Sequence, residues 1–235
     1  MGGHRGQEHI DYAMTSPIRR IHRRFSLLVA LSAVGALLFV PFLQADAPAR
    51  LTAVFLVVFV CLTTAVAALA SWVGLAWAER ANLPMPLLRA FENRAALPRA
   101  TSLVTWGLGC GVAVGGAGLA VLRLLDVPTS AASLSVRLGS AVFAAVTLES
   151  VLHLAIMSGA VRGSGRRDVG IAVATLAYMV FHLSTLGGQP ASVIALASVG
   201  NGIAGLCFGW LYARQGYEAL VLAHLTAHAI AVGLA

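Results

Sequence analysis

Short arginine-bearing stretches divide the sequence into seven long apolar runs, at roughly 25–44, 51–78, 100–125, 138–161, 170–188, 191–213 and 219–235. No other feature restricts the fold so strongly. The hydrocarbon core of a bilayer is about 30 Å thick and takes roughly 20 apolar residues of helix to cross. In that solvent every backbone N–H and C=O must be satisfied within the protein, so only helices and closed barrels span it. Barrel strands alternate in polarity over about 10 residues, whereas these runs are continuous and helix-length. The expectation is an all-α, polytopic transmembrane bundle of about seven spans.

Composition narrows the class further. Of 235 residues, 59% are hydrophobic and 11% are charged, against about 25% charged in an average soluble domain. That balance excludes a water-soluble enzyme, a disordered tail and a secreted disulfide scaffold. The net charge of +7 invites a nucleic-acid reading, but all 16 basic residues are arginine and they sit between apolar runs. No nucleic-acid partner is expected; the lipid bilayer is.

The arginines also set an orientation. With the N-terminus inside, the inner segments hold Arg5, Arg19, Arg20, Arg23, Arg24, Arg80, Arg89, Arg94, Arg99, Arg162, Arg166, Arg167 and Arg214. The outer segments hold only Arg50, Arg123 and Arg137. Each inside–outside pair follows the positive-inside rule, giving N-in and C-out. Residues 1–24 then read as an arginine-rich cytoplasmic tail and 25–235 as one transmembrane domain. The first run, followed by Ala45-Asp46-Ala47, also fits a cleaved signal peptide; its length favours an uncleaved anchor. Arginine used to the exclusion of lysine suggests a GC-rich bacterium, hence a multi-pass protein of the bacterial inner (plasma) membrane.

Cys61, Cys110 and Cys207 stand singly in separate spans, without metal or redox spacing, and read as small packing residues. Gly107, Gly111 and Gly115, and Gly205 and Gly209, recur four apart and would let helices approach closely. Ser158, Ser184 and Thr226 read as helix back-bonders, and Asn201 as a packing hydrogen bonder. Trp72, Trp77, Trp106 and Trp210 fall mostly near span ends, as in an interfacial belt.

Ionisable groups are costly in a membrane interior and signal function there. Eight of the nine acidic residues lie in the tail, in loops or at span ends; only Glu149 is deep in a span. His153, His182, His224 and His228 are likewise intramembrane. Glu149 and His153 are four apart on one helix, and His224 and His228 repeat that spacing on another, so each pair shares a face. His182 lies on the span between. If the three faces meet, one buried cluster results. A shielded carboxylate beside imidazoles suits activation of water, with a further imidazole stabilising an oxyanion. The same Glu149, His182, His224 and His228 could instead hold zinc or another divalent metal. No GxSxG elbow and no HExxH motif is present.

Tyr178-Met179-Val180-Phe181-His182 and His224-Leu225-Thr226-Ala227-His228 resemble the second and third membrane motifs, FxxxH and HxxxN, of the CPBP family of intramembrane proteases. This is the CAAX-protease, bacteriocin-processing and Abi-like group. Gly205-Leu206-Cys207-Phe208-Gly209-Trp210-Leu211-Tyr212-Ala213-Arg214 resembles that family's approach to its last helix. The likeness covers about residues 138–235. The family's first motif, EExxxR, is degenerate in Leu148-Glu149-Ser150-Val151-Leu152-His153: either Ser150 and Leu154 replace its second glutamate and arginine, or Leu148 and His153 replace its first glutamate and arginine.

The resemblance implies an intramembrane endopeptidase acting on a membrane-associated peptide or protein. Glu149 would be general base on water and His182 would position that water. His224 and His228 would stabilise the oxyanion or bind a metal, with His153 and Tyr178 in support. Two alternatives stay open. One is a catalytically inactive relative acting by binding, in immunity or chaperoning. The other is a haem- or metal-handling protein using the histidines as ligands.

Overall fold

The computed structural model describes residues 17–46, 52–93, 100–124, 133–184, 186 and 188–233. All regular structure among them is helical. The helices are α1 (Pro17–Asp46), α2 (Ala53–Arg80), α3 (Pro86–Asn93), α4 (Ala100–Leu124), α5 (Leu134–Ser164), α6 (Arg167–Ser184), α7 (Ala191–Gln215) and α8 (Tyr217–Gly233). Five of them, α1, α2, α4, α5 and α7, are long and apolar enough to cross a membrane.

The other two expected spans are shorter. α6 has 18 residues, and Arg167 and Asp168 occupy its first turn. The described part of α8 has 17 residues, about 25 Å at 1.5 Å per residue. Large apolar side chains stand exposed on α1, α2, α4, α5, α6 and α7, among them Leu37, Leu69, Val112, Leu134, Leu176 and Val199. None does so on the described residues of α8. Its sides are covered by its neighbours, most closely by the glycine face of α4.

Two features revise the N-terminal half. α1 starts at Pro17, so the last residues of the expected tail are helical, while 1–16 lie outside the described residues. Arg24, assigned to that tail, is 5% exposed and donates to Glu79 near the end of α2 at 2.8 Å. The pair closes an antiparallel α1–α2 hairpin. The stretch 79–99, expected as a loop, contains α3. Glu218 at the start of α8 accepts from the Leu88 N–H at 2.6 Å, placing a carboxylate on the otherwise unsatisfied first-turn donors of α3. Gly216, at φ 115°, makes the turn between α7 and α8 in a backbone region that favours glycine. Arg167 donates to the carbonyls of Ala213 and Asn82 at 3.1 and 3.2 Å. One end of the bundle therefore gathers the start of α1, the end of α2, α3 and the α5–α6 and α7–α8 turns.

The expected close approach at the four-spaced glycines is present. A Cβ at Gly111 would stand 2.6 Å from the Ala223 carbonyl oxygen of α8, and one at Gly115 2.7 Å from that of Ala227. Gly205 and Gly209 likewise face Thr175 and Ile171 of α6. Backbone-to-backbone packing of this kind needs small residues, since dispersion and not water exclusion draws helices together in lipid. At the other end of the bundle, Phe39, Phe59 and Phe143 form a ring cluster, with Phe39 stacked on Phe143 at 4.5 Å.

Gly111→Val forces the α4–α8 contact apart and should cost about 1–3 kcal/mol. A thermal-unfolding scan in detergent checks this, with Gly118→Val, where nothing lies within 4 Å, expected to unfold as wild type does.

Candidate functional site

α5 does not hold α-helical register throughout. It widens into π turns at Ala144–Leu148 and at Ser150–Met157, with Glu149 at the junction. A π turn inserts a residue into the hydrogen-bond ladder and re-aims the side chains around it. The shift is tied down by hydroxyl groups. Ser150 Oγ donates to the Val146 carbonyl at 2.8 Å. Tyr217 Oη lies 2.9 Å from Ser150 Oγ and also donates to the Val146 carbonyl at 3.3 Å. About two turns further on, Ser158 Oγ meets Tyr212 Oη at 2.9 Å, so Ser158 bridges to α7. Ser184 and Thr226 bond back, to the carbonyls of Phe181 and Leu222.

Glu149 is fully buried, as are His153 and, at 1% exposure, His224. Its two carboxylate oxygens are each engaged by an imidazole: Oε2 by Nδ1 of His153 and Oε1 by Nδ1 of His224. The first contact lies within α5 and the second joins α5 to α8. A carboxylate only accepts hydrogen bonds, so an ionised Glu149 places the hydrogen of each ring on Nδ1. The acid thus sits between two imidazoles that can donate to it, which is what makes its burial tolerable.

The remaining expected residues surround this core. His224 stacks on His228 at 4.8 Å and on Phe208 of α7 at 5.2 Å. Tyr178 of α6 is buried, with its ring 6.3 Å from that of His153, 6.1 Å from that of His224 and 4.3 Å from that of His182. His182 and His228 are half-buried at the edge of the group. The structure therefore brings all five ionisable residues, and Tyr178, to one place at the meeting of α5, α6, α7 and α8. The chain matches no protein-family model, no curated protein and no solved structure.

Among the described residues no three His, Cys, Asp or Glu side chains stand together where one ion could take them. Both carboxylate oxygens of Glu149 face imidazole Nδ1 atoms, of His153 and His224. Tyr217, Ser150 and Phe208 are members of the site that spacing alone did not reveal. Tyr217 and Phe208 lie on apolar stretches and carry no periodic signature, and Ser150 had figured only as a motif replacement.

Cys110 of α4 and Cys207 of α7, each alone in its own helix, are neighbours, and both are free thiols. They line an apolar groove of about 640 Å³ between α4 and α7, edged by Trp106 and Trp210, whose rings meet edge to face at 5.4 Å.

Tyr217→Phe removes the hydroxyl that joins α8 to the π register of α5. It should lower stability by about 0.5–1.5 kcal/mol, read as a shift in the thermal-unfolding midpoint of purified protein.

Proposed function

We propose that this chain is an intramembrane endopeptidase of the CPBP type, which hydrolyses a peptide bond with water activated by the Glu149–histidine cluster. The observation that carries the reading is the meeting of one buried carboxylate with two imidazoles inside an otherwise apolar bundle. An acid and several imidazoles in hydrocarbon are expensive to keep, and packing alone needs none of them. The order of the motif-like segments along the chain, with Glu149 on α5, His182 on α6 and His224 on α8, agrees with it. The substrate is a membrane-associated peptide or protein of a bacterial plasma membrane.

The proposal includes seven spans with the N-terminus inside and the C-terminus outside. α6 and α8 run beside full-length helices, and arginine-rich segments share the end of the bundle where α2 finishes and the α5–α6 and α7–α8 turns lie. A periplasmic signal from a C-terminal reporter is the expected outcome, and a cytoplasmic one would remove this topology.

The catalytic part is tested with purified protein in liposomes and a set of internally quenched peptides, each carrying one apolar span. Wild type should cleave members of the set. Glu149→Gln should lower the rate by about 10²-fold or more, the range of a lost acid–base group. Undiminished cleavage by inserted, folded variant would exclude a role for the carboxylate.

A further inference from the structure

We infer that the proton acceptors of this site are Nε2 of His153 and Nε2 of His224, and that Glu149 is the positioning residue that orients both rings. The inference rests on the hydrolase reading above and redistributes the roles within it: the carboxylate does not touch water directly.

The geometry supports this in three steps. Each carboxylate oxygen of Glu149 already has an imidazole Nδ1 on it. A neutral imidazole with its hydrogen on Nδ1 carries a lone pair on Nε2. In both rings that nitrogen is buried and has no hydrogen-bond partner in the protein, whereas buried polar atoms are nearly always paired. Two such nitrogens, on two rings held by one acid, form a pair of acceptors that the fold has oriented but not occupied from within. The rings are also clamped: Tyr178 lies against both, and Phe208 and His228 stack on His224. The arrangement doubles the acid–imidazole half of a hydrolytic triad, in which a buried carboxylate holds the tautomer and stabilises the imidazolium that forms.

The step balances as follows. A water hydrogen passes to Nε2 as the water oxygen bonds to the peptide carbonyl carbon. The C–N bond then breaks, and the imidazolium returns that proton to the departing amine nitrogen. The second water hydrogen stays with the new carboxyl group. No metal and no redox partner takes part in this balance.

Asparagine at either histidine gives the decisive variants. Its side-chain N–H stands where Nδ1–H stood and keeps a donor on Glu149, but nothing remains at the Nε2 position. With the same liposome-borne, internally quenched single-span peptides, His153→Asn and His224→Asn should each cleave about 10²-fold more slowly than wild type or worse. Wild-type rates in both Asn variants, with Glu149→Gln inactive, would overturn the inference and return the base role to Glu149, leaving the protease reading intact.

A second measurement does not depend on turnover. ¹⁵N spectra of histidine-labelled wild type in lipid bilayers should show His153 and His224 with hydrogen on Nδ1 and bare Nε2. Glu149→Gln, whose amide can accept from only one ring, should break that pattern in the other. A hydrogen on Nε2 of either ring in wild type overturns the inference. Absence of wild-type cleavage alongside the expected spectrum would overturn the hydrolase reading and the catalytic half of this one, while leaving Glu149's orienting role established.

Discussion

The fold is organised around the difficulty of keeping one carboxylate in hydrocarbon. An isolated charge at mid-bilayer costs several kcal/mol on any scale, and an unbonded polar group there is scarcely better. Glu149 meets that constraint with two imidazole donors, one from its own helix and one from α8. The second donor makes the position of α8 a condition of burying the acid. Much else in the bundle serves to place α8: the glycine face of α4 that receives it, the Glu218 contact to α3 at its start and the Gly216 turn that brings it back from α7.

The π turns of α5 flank the same residue. The Val146 carbonyl, which accepts from the Glu149 N–H, also accepts from the Ser150 and Tyr217 hydroxyls. The stretch that carries Glu149 is thereby tied to α8 a second time, through Tyr217.

Much of the fold was legible in the sequence because hydropathy and helix period are local properties. The apolar runs marked the helices, the arginines marked the connections, and the spacing of Gly107, Gly111 and Gly115 marked a packing face. The five ionisable residues were legible for the opposite reason, as exceptions in an apolar background. What could not be read were features set by tertiary contact. Arg24 reads as a tail residue until Glu79 is brought beside it. The π register of α5 has no signature in Leu148-Glu149-Ser150, and the partnership of Ser158 with Tyr212 joins residues 54 apart.

The degenerate first motif can be argued on the same physical ground. Under the proposed hydrolase reading, the family's arginine supplies positive character beside a membrane-buried acid. If Leu154 stood at that position, the site would have no such group there: Leu154 is fully buried and packs on Gly74 of α2, where even a Cβ would stand 2.6 Å from its carbonyl oxygen. His153 stands one turn after Glu149 and bonds it directly. Under the proposed reading, the register that assigns His153 to the arginine position puts a residue that bonds the acid where the motif has its arginine. In that register Leu148 occupies the place of the family's first glutamate, so a mechanism that required that glutamate as base would have no residue to perform it. Under the same proposed reading, imidazole nitrogens oriented by Glu149 would supply an acceptor in place of that glutamate, so Leu148 at that position is compatible with the proposed chemistry.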